Sequence, residues 1–240
     1  MSASHALVAG LRRQDWAFFA WLFCTGGVVT TLVLREFVAT LVYGAGAVAA
    51  GALARHWSRV YPAPMPHALR GFLYLSHPGL SPRALHRVLD LRAGERMLEI
   101  GPGIGHHALP TAAALGPAGR LDVLDVQPEM LRDLERRAAA RALTNLVAVE
   151  GDAQRLPYAD GTFDAAYLVT VLGEIPEPER ALRELARVVK RGGRIVVGEF
   201  FLDPDYVAPE RMRLLAAGAG VRFACQVGSR LSYFARLDVG

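Results

Sequence analysis

The sequence predicts an α/β fold, a doubly wound parallel sheet preceded by two long apolar helices. Three observations predict it. A short apolar run, Arg96–Ile100, passes directly into the turn Gly101-Pro102-Gly103-Ile104-Gly105. Beyond it, apolar runs bounded by turn residues alternate with amphipathic segments, the pattern of strands and crossover helices in a sheet covered on both faces. Upstream, Trp16–Leu34 and Phe37–Ala54 contain no charged residue.

The two upstream runs are about 19 and 18 residues long, enough to cross a bilayer core. Trp16, Phe18, Phe19, Trp21 and Phe23 crowd one end, and Trp57 and Tyr61 follow the other. Such rings favour the membrane–water boundary. The pairs Ala45/Ala49, Gly46/Ala50 and Ala47/Gly51 give the small-residue spacing that lets helix backbones approach in lipid. The reading is a membrane hairpin over residues 1–60, turning near Arg35-Glu36. Arg12 and Arg13 precede it and Arg55 and Arg59 follow, so basic flanks place both ends on the cytoplasmic side of the cell membrane. A secretory leader, a soluble dimerisation hairpin, and one tilted span plus an interfacial helix are the competing readings of the same segment.

The net charge of +4 raises the question of nucleic acid. Through Val60, five arginines stand against Asp15 and Glu36, and the remaining chain is nearly balanced. The excess therefore flanks the apolar segment and makes no phosphate-binding face, so no nucleic-acid partner is expected. Cys24 and Cys225 read as small apolar residues, too distant to pair, and no Cys/His cluster has metal-ligand spacing. No metal site is expected.

Residues 61–94 form a connector. Pro62, Pro64 and Pro66 hold it extended, because proline cannot continue a helix and restrains its neighbour. A short apolar segment, Ala68–Ser76, follows. Ser81-Pro82 then opens a helix through Leu91, with Ser as N-cap and Pro in the first turn. Residues 95–240 carry the sheet. After the first strand, a helix is expected from Ile104 to Leu115. A second strand, Arg120–Val126, leads into a helix from Pro128 to Ala142. Leu146–Glu150 and Phe163–Thr170 are the third and fourth strands, with Asp164 marking the start of the fourth. A helix from Pro178 to Lys190 turns at Arg191-Gly192-Gly193 into the fifth, Arg194–Phe200.

The glycine turn admits a ligand against bare backbone. It is not the dinucleotide fingerprint, because the sixth position is His106 and the third glycine comes early, at Gly105. Asp125 closes the second strand about 20 residues on, placed to accept from a ribose.

The ordered series Leu-Glu-Ile-Gly-Pro-Gly-Ile-Gly, Leu-Asp-Val, Gly-Asp-Ala, Leu-Pro-Tyr-Ala-Asp-Gly-Thr-Phe-Asp and Arg-Val-Val-Lys-Arg-Gly-Gly resembles class I S-adenosylmethionine-dependent methyltransferases. Within that class it is most similar to the branch of quinone C-methyltransferases and related small-molecule and lipid enzymes. The resemblance implies a Rossmann-like sheet of seven strands whose last two form an antiparallel hairpin, which Val221–Val227 and Tyr233–Val239 fit. It also implies S-adenosylmethionine as cofactor. The backbone of Glu99, Gly101, Gly103 and Gly105 would face its methionine part. Asp125 would take the ribose, Val126 or Gln127 would pack beside the adenine, and Asp152 and Ala153 would contact the adenine edge. Thr170 would lie beside the methyl group.

Methyl transfer from a sulfonium needs an in-line nucleophile more than a catalytic triad, and a base only for some acceptors. Candidates on the acceptor side are Tyr74, His106 and Glu174, while His77 reads as a surface residue. Relatives often carry His-Glu-Ile where this chain has Gly173-Glu174-Ile175, which removes a histidine base from that position. No Pro-Pro-aromatic motif of amino-methylating DNA enzymes follows the fourth strand. The function expected is methylation of a lipid-like acceptor, a phospholipid amine headgroup or an isoprenoid quinone, by a membrane-anchored enzyme. Methylation of a small secondary metabolite, with the hairpin used for dimerisation or location, and a non-catalytic cofactor-binding scaffold are the alternatives.

Overall fold

The computed structural model describes residues 13–33, 37–74 and 78–240, with the side chains of 13–15, 31–33, 37, Arg70 and 72–74 excepted. The chain divides into two compact units, Met1–Pro66 and His67–Gly240.

In the first unit, α1 (Arg13–Val33) and α2 (Phe37–Val60) pack antiparallel. A Cβ on Gly46 would stand 2.9 Å from Cys24 Sγ, one on Gly51 3.2 Å from Trp21, and one on Gly27 inside the Tyr43 ring. The small residues thus face the partner helix, as the spacing predicts. Among the described residues one helix, Val38–Val60, is long and apolar enough to cross a membrane. The apolar part of α1 there is the shorter Trp16–Thr30. The expected turn at Arg35-Glu36 lies outside the described residues, as does His77.

The second unit is a seven-stranded sheet in the order β3-β2-β1-β4-β5-β7-β6. The strands are β1 (Arg96–Ile100), β2 (Arg120–Asp125), β3 (Leu146–Glu150), β4 (Phe163–Val169), β5 (Val189–Phe200), β6 (Arg222–Gly228) and β7 (Ser232–Asp238). The first five are parallel, and β7 runs antiparallel to both β5 and β6. Chain order reverses between β1 and β4, so a crevice opens at their carboxyl ends.

Alternation along each strand divides the core. Leu98, Ile100, Leu168 and Val197 bury one face with α6 (Pro178–Val188) and α7 (Pro209–Gly218). Met97, Val123, Tyr167 and Val196 bury the other with α3 (Pro82–Leu89), α4 (Ala108–Leu115) and α5 (Pro128–Ala139). Ser81 caps α3 by accepting from Ala84 N–H at 3.2 Å, as its sequence predicts. Asp164 ties the start of β4 to its neighbours, accepting from Arg96 N–H at 2.8 Å and from Lys190 Nζ at 2.5 Å.

Four details correct the sequence reading. The helix after β1 starts at Ala108, four residues later than expected, because Gly101, Gly103 and Gly105 all take positive φ and keep the chain in turns. The β5 segment begins at Val189, with residues 190–193 looped out between two stretches of β4 pairing. An additional helix, α7, fills the connection between β5 and β6. Cys225 is exposed on the edge strand β6, so it is not a core residue; both cysteines are free thiols.

Candidate functional site

The crevice at the β1/β4 switch is built from backbone first. Gly101 (φ 64°) donates its N–H to Leu124 O at 2.9 Å, fixing the turn to the end of β2. A Cβ on it would sit 2.5 Å from Val171, so glycine lets Val171 lie against the loop. Gly105 (φ 90°) leaves room instead for Leu134 and Leu109. It is the glycine of close helix packing, the role the dinucleotide fingerprint assigns to its sixth position. Gly103 (φ 51°) directs its N–H to the Asp125 carboxylate.

Two buried carboxyl groups flank this loop. Asp125 ends β2, and its Oδ1 accepts from Gln127 N–H at 2.9 Å, with Val126 and Gly103 N–H also turned toward it. Burial pushes its carboxyl up to about 6, against those donors. Glu99, next to last in β1, has Oε2 bonded by the Tyr167 hydroxyl at 2.6 Å. Burial pushes its carboxyl up to about 8; the Tyr167 bond opposes this and the charge of Asp125 adds to it.

Val126 is exposed and Gln127 half-buried at the start of α5, beside Asp125. Asp152 is exposed after β3, its oxygens accepting from Gln154 N–H at 2.8 Å and from the Gln154 side-chain amide at 2.9 and 3.0 Å. Gln154 Oε1 in turn accepts from Glu177 N–H at 3.0 Å, tying this turn to the start of α6. Ala153 is buried beside Leu124 and Leu156. Thr170 holds φ +56°, a left-handed conformation that costs a β-branched residue energy, and its N–H donates to Gly198 O at 2.8 Å. The strain sits at the mouth of the crevice, where β4 ends.

The acceptor-side candidates do not all converge. Glu174 is half-buried in a short 3-10 helix, Leu172–Glu174, directly after β4. His106 is exposed and turns outward, into a groove of about 460 Å³ between α4 and α5 lined also by Leu109, Arg137 and Arg141. It is a residue of that groove. Tyr74 ends the 3-10 helix His67–Tyr74, and its side chain lies outside the described residues. That helix is held to α5 by His67 Nε2 and Asp133 Oδ2 at 3.0 Å. Among the described residues no group of His, Cys, Asp and Glu has metal-binding geometry.

Sequence reasoning missed Tyr167, Val171 and Gln154. Tyr167 lies inside the apolar run of the fourth strand, and Val171 opens the stretch after it. Gln154, two positions after Asp152, carries the signal of a local turn bond.

The site fits S-adenosylmethionine. A cradle of positive-φ backbone lies between two carboxyl groups, one able to meet an ammonium and the other a ribose diol. Comparison with known proteins agrees. Residues 98–197 match the family described as "Methyltransferase domain". The chain is 40% identical over 121 residues to an uncharacterised 37.1 kDa transposon protein of Streptomyces fradiae, covering 49% of this chain and 32% of that one. It is 34% identical over 111 residues to a ubiquinone/menaquinone biosynthesis C-methyltransferase of Pseudomonas putida, covering 46% of this chain and 43% of that one. The chain thus spans less than half the length of the curated relatives it matches. A solved S-adenosylmethionine-dependent methyltransferase from Aquifex aeolicus superposes with a TM-score of 0.68 at 19% identity, covering 74% of this chain and all of that one, a likeness of fold. Residues 98–197 are thus similar to a methyltransferase domain, and the fold around them to that of a solved S-adenosylmethionine-dependent methyltransferase.

Proposed function

We propose that this protein methylates a lipid-like acceptor at the cytoplasmic surface of a membrane, an isoprenoid quinone ring first and a phospholipid amine headgroup second. The observation that carries the reading is the pairing of buried Glu99 and Asp125 across the glycine loop at the sheet's switch point. The acceptor class is supported by the matched quinone C-methyltransferase and by the apolar helix Val38–Val60. A catalytic domain fixed to a bilayer meets a membrane-dissolved acceptor at raised local concentration.

When bound, the cofactor supplies a methyl group on a positively charged sulfur. Asp125 would accept hydrogen bonds from its ribose hydroxyls, and Glu99 would pair with its amino group. Val126 or Gln127 would pack beside the adenine, and Asp152 and Ala153 would meet its edge. Thr170 and Val171, where β4 ends, would border the methyl group and exclude water. Glu174 stands on the acceptor side, where its carboxylate takes a proton from the acceptor or balances its charge. Tyr74, on the segment before β1, is the other acceptor-side candidate of the sequence. His106 has no part in this assignment.

The test is incubation of the full chain with methyl-labelled cofactor and a total lipid extract. Label in an organic-soluble quinone or lipid is expected. Transfer confined to water-soluble compounds would favour the second reading, methylation of a small metabolite, with the two helices serving self-association or location. The short apolar part of α1, Trp16–Thr30, is the observation on that side.

A further inference from the structure

In the helical layer on one face of the sheet, α4 and α5 leave a groove between them. Its volume of about 460 Å³ falls in the range of small-ligand sites, roughly 300–1,000 Å³. Its floor is apolar: Leu109 is buried and Leu143 half-buried, with Ala113 beside them. The polar lining is basic, made by Arg137, Arg141 and the exposed His106. Among the described residues that line it there is no acidic side chain. Local structure brings these groups together. Arg137 and Arg141 are four positions apart and so share one side of the chain where α5 ends. Arg141 Nη1 donates to Arg137 O at 3.3 Å, which folds it back along the helix end. Ala142 then takes φ +53° and reverses the chain, and Leu143 N–H returns to Ala138 O at 3.0 Å. An apolar side chain thereby joins two arginines in one groove. Like charges at this spacing repel, and a bound anion between them relieves the repulsion.

We propose that this groove binds an anionic phospholipid, with its phosphate between Arg137 and Arg141 and part of one chain against Leu109, Ala113 and Leu143. The guanidinium fork matches phosphate oxygens two at a time, and a charge-assisted bond of that kind is stronger than a neutral one. His106 borders the same space from the turn before α4 and offers a ring nitrogen. Both parts of the ligand are needed. A bare anion leaves the apolar floor in water, and a zwitterionic headgroup brings an ammonium that the two guanidinium groups repel. The site gives residues 67–240 a lipid contact of their own. It goes beyond the methyl-transfer reading and stands independently of it, because it uses neither the carboxyl groups beside the glycine loop nor the acceptor side.

The test is native mass spectrometry of the full chain in maltoside detergent, titrated with dihexanoyl phosphatidic acid or dihexanoyl phosphatidylcholine. The wild type is expected to retain the phosphatidic acid about tenfold more tightly than the phosphatidylcholine. Changing Arg137→Gln and Arg141→Gln together should remove that preference, with the melting temperature at the wild-type value. Ala113→Trp keeps both charges and fills the apolar floor, so it should weaken retention of phosphatidic acid by about tenfold as well; if the arginine variant fails to fold, this one decides. Inorganic phosphate at the same concentration should not displace the lipid. Lipid held elsewhere on the chain is common to wild type and variants and drops out of the comparison. Equal retention of the two lipids by the wild type, wild-type retention by either folded variant, or displacement by inorganic phosphate would overturn the site. Methyl transfer is not measured, so such a failure leaves the cofactor assignment standing.

Discussion

The carbonyl oxygen of Asp205 occupies the space that a Cβ on Gly173 would need. The loop after β4 and the loop after β5 therefore meet backbone to backbone beside Glu174. The close approach leaves room for glycine alone at position 173. Gly173→Ala should force the two loops apart and cost about 1–3 kcal/mol of stability, as overpacking does. Turnover should fall while affinity for S-adenosylhomocysteine holds, because the cofactor carboxylates lie elsewhere. An unchanged denaturation midpoint would show that the loops part freely.

Glu99 should trade stability for binding. Its folded pKa stands near 8 and its unfolded one near 4.5. The folded state therefore holds the proton more tightly, and stability from this group is full below about 4.5 and lost as pH rises through 8. Glu99→Gln removes that dependence. Its unfolding free energy relative to wild type should rise steadily from pH 5 to pH 8, by an amount on the order of a few kcal/mol. Cofactor binding should weaken at the same time. Parallel pH–stability curves for the two proteins would contradict the buried-carboxyl assignment.

Asp125→Asn keeps the shape of the β2 terminus and removes a charge held by three backbone donors. Charged hydrogen bonds to a ligand contribute roughly 1.5–3 kcal/mol, so affinity should fall about tenfold to a hundredfold. Circular dichroism should be unchanged. Calorimetry showing wild-type affinity would move the ribose away from Asp125.

Much of this site was legible because its parts are local. β1 and β3 stand at their expected bounds, since an apolar run between turn residues leaves little choice. The glycine loop and Asp125 follow from spacing, whereas Glu99 was expected to contribute backbone and its carboxyl group was not foreseen. What was hidden depends on contacts far apart in the chain. Tyr167 is an unremarkable strand residue until register sets it against Glu99, 68 positions earlier. His106 borders the glycine loop in sequence, yet the turn at Gly105 directs it to the α4/α5 groove. α7 had a readable start, because Pro209-Glu210 repeats the Pro128-Glu129 and Pro178-Glu179 openings of α5 and α6. Proline at the first helical position followed by an acid suits both the missing N–H and the helix dipole.

Arg194 separates scaffold from site. Its buried guanidinium pairs with Glu95 Oε2 at 2.7 Å and donates to Asp90 O at 2.9 Å and to Leu89 O, closing the end of α3. It stands toward the amino ends of the parallel strands, away from the glycine loop at their carboxyl ends. Arg194→Met leaves Glu95 and those carbonyls without their donor and should cost about 3–5 kcal/mol, the usual effect of breaking a buried pair. The fraction that remains folded at low temperature should bind S-adenosylhomocysteine normally. Equal loss of binding and stability in step with unfolding would fit as well; loss of binding by a fully folded variant would not.

The two compact units assign different tasks to different stretches of chain. Residues 67–240 hold both core clusters apart from α1 and α2, including every residue given to the cofactor. Removing residues 1–66 should leave a folded domain that binds S-adenosylhomocysteine with wild-type affinity. Methylation of an acceptor dispersed in detergent should change little, because the acceptor is then equally available to both forms. Methylation of the same acceptor in phospholipid vesicles should fall by tenfold or more, since tethering raises effective concentration by orders of magnitude. Comparing the two rates separates anchoring from chemistry. Equal rates on vesicles would mean that the helices serve some purpose other than bringing the enzyme to its acceptor.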